Sequence, residues 1–208
     1  MVNILSSAEL MTLLSEGVNR YPWTAHWVDD DTNRSARRSE DAWMESIRSR
    51  NLTRDAVESV VRWKFPDRRM ASTPLKALSE EQWARTEGFL HEALESIVSS
   101  DDDDQPVAIL DNIFGWGVPM ASALVTVLHP DRFTVADGRA RTVLRETTGF
   151  PDDGQWFFTQ RDWKPYLNEC RRVLTVLEKQ GAGPDSRPWT LRQVDRGLWA
   201  AYESFRTR

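Results

Sequence analysis

Residues 108–144 read A-I-L-D-N-I-F-G-W-G-V-P-M-A-S-A-L-V-T-V-L-H-P-D-R-F-T-V-A-D-G-R-A-R-T-V-L, and the order of residue types in this stretch decides the fold. An apolar run ends at Phe114, two glycines follow with one residue between them, and a second apolar run opens at Val118. Glycine accepts positive φ and close backbone approach, so Gly115-Trp116-Gly117 marks a tight turn between two helices. Behind such a turn the next helix opens with backbone N–H groups that the chain leaves unpaired, a natural seat for phosphate. Pro119 fits the first turn, where its missing N–H would have no partner in any case.

The second helix carries Val118, Ala121, Leu124, Val125 and Leu128 at helical spacing on one face, and Pro130 stops it. It climbs about 15 Å at 1.5 Å per residue. Residues 132–136, extended at about 3.3 Å per residue, bring the chain most of the way back. Asp137 is therefore expected beside the turn, a lone carboxylate next to a phosphate seat. An aspartate directly before G-R-A-R-T-V-L is also well placed to cap the helix that follows, and the two roles are compatible. Arg139, Arg141 and Arg145 on that helix either face phosphate near the site or form a solvated ridge, with Arg141 and Arg145 at i, i+4.

Outward from this stretch the pattern is helical. Capping-box spacings at Ser6–Glu9, Ser79–Gln82, Thr159–Asp162 and Thr190–Gln193 open helices. Ser39 opens a short helix through Trp43 and Ile47, and Thr53 another through Val57, Val60 and Val61. Residues 20–38, with Pro22 and Asp29-Asp30-Asp31, read as a loop pinned by Trp23 and Trp27. The helix from Thr53 ends in W-K-F-P-D-R-R at residues 63–69, since Pro66 disfavours helix just before it. Aromatic and basic residues interleaved in this way either stack on bases and pair with phosphates or pack a tryptophan under an arginine-rich loop. The acidic run Asp101 to Asp104 reads as a solvated linker that caps the helix near Pro106. Residues 147–154 read as a turn-rich loop. No repeat and no strand alternation is visible, and the expected class is all-α.

Composition sets the outer bounds. A chain of 208 residues buries a full core as one compact unit or as two lobes sharing a cleft. No run of about 18 apolar residues is present, so no membrane partner is expected. The start M-V-N-I-L-S-S-A-E-L shows neither a basic leader nor a small-residue cleavage site, and the expected location is cytoplasmic, at the nucleoid in a bacterium. Cys170, the only cysteine, excludes an internal disulfide and any four-thiolate cluster, and is expected to pack on a helix. His26, His91 and His129 fit no metal spacing, so no metal and no cofactor are expected. The net charge of −5 is unevenly spread: residues 1–131 hold 13 basic against 22 acidic side chains, residues 132–208 hold 14 against 10. A cationic face in the second half is compatible with that division. Only four of the 27 basic residues, Lys64, Lys76, Lys164 and Lys179, are lysine.

The central stretch resembles the helix-hairpin-helix motif of the DNA glycosylase superfamily that includes endonuclease III, 8-oxoguanine glycosylase and 3-methyladenine glycosylase. Their pattern is roughly L-x-G-[VI]-G-x-x-x-A, then the rest of a helix, then an aspartate. Ile113, Gly115, Gly117, Ala121 and Asp137 fill those positions, and the interval from Gly117 to Asp137 is the one the family keeps between its second glycine and its acid. The match covers about residues 107–146 of a single unit spanning 1–208. The resemblance implies a helical bundle with two lobes flanking a cleft, Asp137 as the catalytic carboxylate, and Gly115, Trp116, Gly117 and Val118 as the anchor on double-stranded DNA, with Arg139 and Arg141 close by. It also implies an aromatic pocket for an extruded base. Bifunctional members carry a Schiff-base lysine where this chain has Pro119, so a monofunctional enzyme is expected, one that hydrolyses the N-glycosidic bond of a damaged or mismatched base. Gly138-Arg139 after the acid departs from the family's usual T-H or V-H. A non-catalytic descendant that keeps the fold to bind DNA in genome defence or regulation is the alternative, and a helical protein-interaction module a third.

Overall fold

The computed structural model describes residues 4–21, 33–48, 52–65, 68–151 and 158–206. Among these residues the chain is helical throughout, with no strand. The helices are α1 (Ser7–Arg20), α2 (Asn33–Arg48), α3 (Arg54–Lys64), α4 (Arg68–Lys76), α5 (Glu80–Ser99), α6 (Asp104–Phe114), α7 (Gly117–Leu128), α8 (Gly138–Thr148), α9 (Gln160–Gln180), α10 (Leu191–Ala201) and α11 (Glu203–Arg206), with one 3-10 turn at Pro184–Ser186. The all-α expectation holds. No helix among the described residues is long and apolar enough to cross a membrane.

Helix α7 is the axis of the molecule. Its sequence G-V-P-M-A-S-A-L-V-T-V-L contains no charge, and Val118 and Met120 through Val127 are all buried, not only the stripe expected from periodicity. A helix apolar on every side must be enclosed, and α2, α3 and α6 pack around it. Its two hydroxyls are satisfied inside: Ser122 Oγ donates to Pro119 O at 3.1 Å and Thr126 Oγ1 to Ser122 O at 2.7 Å.

The return from α7 to α8 is held at both ends. Arg132 donates to Asp103 Oδ1 at 2.8 Å and to the carbonyls of Ile97 and Ser100, while Arg171 bridges Asp103 Oδ2 at 2.6 Å and Arg132 O at 2.7 Å. Asp103 is thus an internal clasp, not part of a solvated linker. At the other end Ala136 N donates to Ser122 Oγ at 2.9 Å, which brings the chain back to the first turns of α7, as the rise-and-return arithmetic requires.

Two elements differ from the sequence reading. The loop expected over residues 20–38 is helical from Asn33, because α2 starts a turn and a half before Ser39; Trp23, His26 and Trp27 lie outside the described residues. Residues 68–76 form α4, which Pro66 before it, Pro74 within its last turns and the arginines concealed. The end of the loop expected near 147–154 also falls beyond the described residues from 152 onward.

Helices α1 and α10 cross at two glycines. A Cβ on Gly17 would stand 2.5 Å from Gly197 O, and one on Gly197 2.9 Å from Leu14 O. Both obstacles are backbone, so Gly17→Ala should force the helices apart and cost about 1 to 3 kcal/mol. Gly88→Ala on α5, where a Cβ meets nothing within 4 Å, should stabilise instead by roughly 0.5 to 1 kcal/mol. Thermal melts of the two variants, shifted in opposite directions, check this crossing.

Candidate functional site

The hairpin forms where the glycines predict it. Gly115 (φ 60°) ends α6 and Gly117 (φ 72°) opens α7, both in the left-handed region that other residues enter at a cost. Trp116 between them turns inward: it is 8 % exposed, stacks on Phe114 with ring centroids 4.0 Å apart, and donates from Nε1 to Pro74 O at 3.3 Å. The Val118 side chain is buried as well. What the turn offers outward is therefore backbone, at exposed Gly115 and half-buried Gly117. Of that backbone the Gly117 N–H is already engaged, donating to Asp111 Oδ1 at 2.8 Å, while Asp111 Oδ2 accepts from Gln160 Nε2 at 3.1 Å. A carboxylate from the preceding helix thus occupies part of the seat expected for phosphate.

Asp137 caps α8, with Oδ1 accepting from Arg139 N at 2.9 Å. Its other oxygen accepts from Lys64 Nζ at 2.9 Å, and the same ammonium reaches Ala136 O at 3.5 Å. The Lys64 side chain is 10 % exposed and that of Asp137 19 %, so the pair is enclosed but open at one edge. Burial pushes the Asp137 carboxyl up; the charge and hydrogen bond of Lys64, then the Arg139 amide, outweigh it and hold the group below the ordinary carboxylate range. Lys64 comes from the last turn of α3, within the W-K-F run. One residue further on, Phe65 lines a cavity of about 250 Å³ that runs beneath the hairpin, bounded also by Met70, Thr73, Pro74, Gly115 and Trp116.

The two arginines expected near the acid part company. Arg139 lies over aromatic rings, its guanidinium carbon 4.7 Å from the Trp199 centroid and 6.0 Å from that of Tyr202. Arg141 is not part of a solvated ridge. It is 4 % exposed, covered by the Phe158 ring at 5.0 Å, and 3.8 Å from Asp162 Oδ1 at the start of α9. Arg145 pairs with Glu146 at 2.8 Å.

Behind Lys64 lies a buried ionic cluster. Glu40 of α2, fully buried, accepts five donors: Tyr21 Oη at 3.1 Å, Trp63 Nε1 at 3.0 Å, Arg192 Nη2 at 2.7 Å, Arg196 Nε at 2.7 Å and Arg196 Nη2. Arg196 continues to Asp41 at 2.5 Å and Arg192 to Asp195. Burial raises Glu40, but the two guanidinium groups reverse this and leave its carboxyl below the ordinary range. For Asp195 burial wins over Arg192 and Lys64, and the neighbouring charges of Asp137 and Glu40 add to the rise. The signal in the sequence is the spacing of Arg192, Asp195 and Arg196, at i, i+3 and i+4 on a helix whose apolar residues Leu191, Val194 and Leu198 share the buried side. Charges repeating at the period of a core stripe mark a buried network.

Among the described residues no three of His, Cys, Asp and Glu gather to hold a metal ion. Compared with family models, curated proteins and solved structures, the chain finds no match in any of the three.

Proposed function

We propose that the chain is a DNA base-excision N-glycosylase of the helix-hairpin-helix type, a two-lobed helical bundle in which Asp137 serves the sugar in a cleft. The observation that carries this reading is the Asp137 carboxylate, held ionised at the start of α8, one helix and one extended return beyond a hairpin whose two glycines both have positive φ. Breaking an N-glycosidic bond builds oxocarbenium character on the sugar, and an ionised carboxylate in a partly enclosed site stabilises that charge and orients the attacking water. Pro119 leaves the hairpin without an amine, so base release proceeds through water. The cavity under the hairpin, walled by Phe65 and Trp116, offers stacking surfaces to an extruded base.

The test is incubation of the protein in excess with duplexes carrying uracil, alkylated purines, 8-oxoguanine or mismatches, followed by alkaline cleavage at abasic sites. Release from at least one class is the expected result; none across the panel overturns the proposal. A second reading, a non-catalytic DNA-binding descendant, is favoured by one observation: both oxygens of Asp137 already have donors. Salt-dependent duplex binding without base release would support it. Under either reading Asp111→Asn keeps an acceptor for Gly117 N–H and removes a negative charge from the hairpin. It should tighten duplex binding by roughly threefold at low salt, with the gain shrinking as ionic strength rises. Titration of labelled duplex at two salt concentrations measures this.

A further inference from the structure

We propose that a cavity at the start of α10 binds a small hydroxylated phosphate monoester, a sugar phosphate or a mononucleotide. The cavity shares no residue with the hairpin or with the Asp137–Lys64 pair, and its ligand does not depend on the base-excision reading.

The cavity holds about 380 Å³, the size of a small-ligand site. Four guanidinium groups border it: Arg48 from the end of α2, Arg187 from the loop before α10, and Arg192 and Arg196 from α10 itself. They offer more donors than the protein takes up. Arg196, 4 % exposed, gives Nε and Nη2 to Glu40 and Asp41, while its Nη1 has no acceptor among the described residues. Arg192, 6 % exposed, gives both terminal nitrogens to Asp195, Tyr21 and Glu40, and its buried Nε is left without an acceptor among the described residues. The exposed Arg187 side chain has neither a hydrogen bond nor an ion pair among the described residues. Thr190 and Gln193 place the opening turn of α10 on the same cavity, where the amides of Leu191 and Arg192 have no acceptor within the helix and the dipole is positive. Buried donors without acceptors are rare in folded proteins, and these adjoin one cavity. A phosphate brings several oxygens at once and matches the guanidinium fork.

Two carboxylates select the rest of the ligand. Asp41 and Asp131 border the cavity alongside the arginines. They repel a polyanion such as duplex DNA, and they accept hydrogen bonds from hydroxyl groups. Met44, Pro130 and Pro188 complete the wall with apolar surface against which a sugar ring or a base packs. A phosphate on the arginines with hydroxyls on the aspartates uses both sets of groups, whereas inorganic phosphate uses only the first. Arg48 is free to turn toward the ligand, because its hold on Val127 O is long, at 3.4 Å, and its ion pair is with Glu45, whose side chain is 65 % exposed.

The experiment is isothermal titration of the full chain with ribose 5-phosphate and with adenosine 5′-monophosphate, beside inorganic phosphate, ribose and an undamaged duplex. At least one of the two esters should bind saturably, one molecule per chain, and at least about tenfold more tightly than inorganic phosphate or ribose. The duplex should not displace it. Arg187→Ala removes an exposed side chain that holds nothing in the fold, so the melting temperature should stay unchanged while affinity for the ester falls by at least about tenfold. Arg187→Glu should abolish binding. None of these readouts involves base release, so the cavity and the Asp137 reading stand or fall separately. The proposal is overturned by no binding of either ester up to about 10 mM, by inorganic phosphate bound as tightly as the esters, by displacement with duplex, or by undiminished affinity in Arg187→Ala.

Discussion

Asp137→Asn should lower base release by on the order of 10³-fold while leaving the protein folded. Asparagine keeps the side-chain oxygen that accepts from Arg139 N and is as good an N-cap as aspartate, so α8 still starts where it does. What disappears is the charge, and with it the partner of a Lys64 side chain only 10 % exposed. The stability cost should be about 1.5 to 3 kcal/mol, the worth of a hydrogen bond to a charged group. Asp137→Ala loses the cap as well and should cost about 1 kcal/mol more. A melt and a single-turnover assay on the same two variants separate the roles: if the carboxylate were only a cap, Asn would retain activity and Ala alone would fall. The pH profile adds a second constraint. The folded Asp137 carboxyl lies below its ordinary range, so it is ionised above the unfolded value of about 3.9 and gains its proton only as pH falls further. Its stabilising pairing is likewise complete above that value and lost through the folded one. No acid limb due to Asp137 should appear in base release between about pH 5 and 8, and one centred there would assign control to another group.

The parts of the site that could be read from the chain are those whose cause is local. Positive φ at Gly115 and Gly117, the Asp137 cap two residues from its donor, and the return over residues 132–136 all follow from neighbours within one turn or one helix length. Trp116 illustrates where local reading stops: flanked by two glycines it looks exposed, but Phe114 and Pro74 take it inward. Lys64 lies 73 positions from Asp137, and a lysine in the last turn of an amphipathic helix is ordinary because it complements the helix dipole. Glu40 is more opaque still. Its arginine partners lie 152 and 156 residues away, and nothing in S-E-D-A-W separates an enclosed carboxylate from a solvated one. Hydrophobic periodicity locates apolar faces; it is silent on a charge whose burial depends on partners from two other helices and from the residue that follows α1.

That enclosed carboxylate carries the largest expected effect on stability. Glu40→Gln should cost about 3 to 5 kcal/mol, because it removes the fully buried charge that Arg192 and Arg196 share, leaving each with a single carboxylate partner, and points amide hydrogens at guanidinium donors. For a domain of this size the melting midpoint should drop by roughly 10 °C. Arg196→Met should also destabilise, and the double variant should cost less than the two single costs added together, since each removes the reason the other hurts. The sign of the pH dependence follows from the depressed Glu40 carboxyl. Its contribution is complete above the unfolded value of about 4.3 and is lost as pH falls through the lower folded value, so the gap between the unaltered protein and Glu40→Gln should narrow in acid. Asp195, raised by burial, works in the opposite sense, because its protonation in acid relieves a buried charge. A buried ionic cluster is poor evidence of stability by itself, since well-packed apolar residues often serve as well. Its worth here lies in position: Glu40 accepts from Trp63 Nε1, and Lys64 is the next residue. Glu40→Gln should therefore loosen the Lys64 that holds Asp137 and lower base release at temperatures where the variant is still fully folded, whereas a cluster that only stabilised the bundle would leave the rate unchanged there.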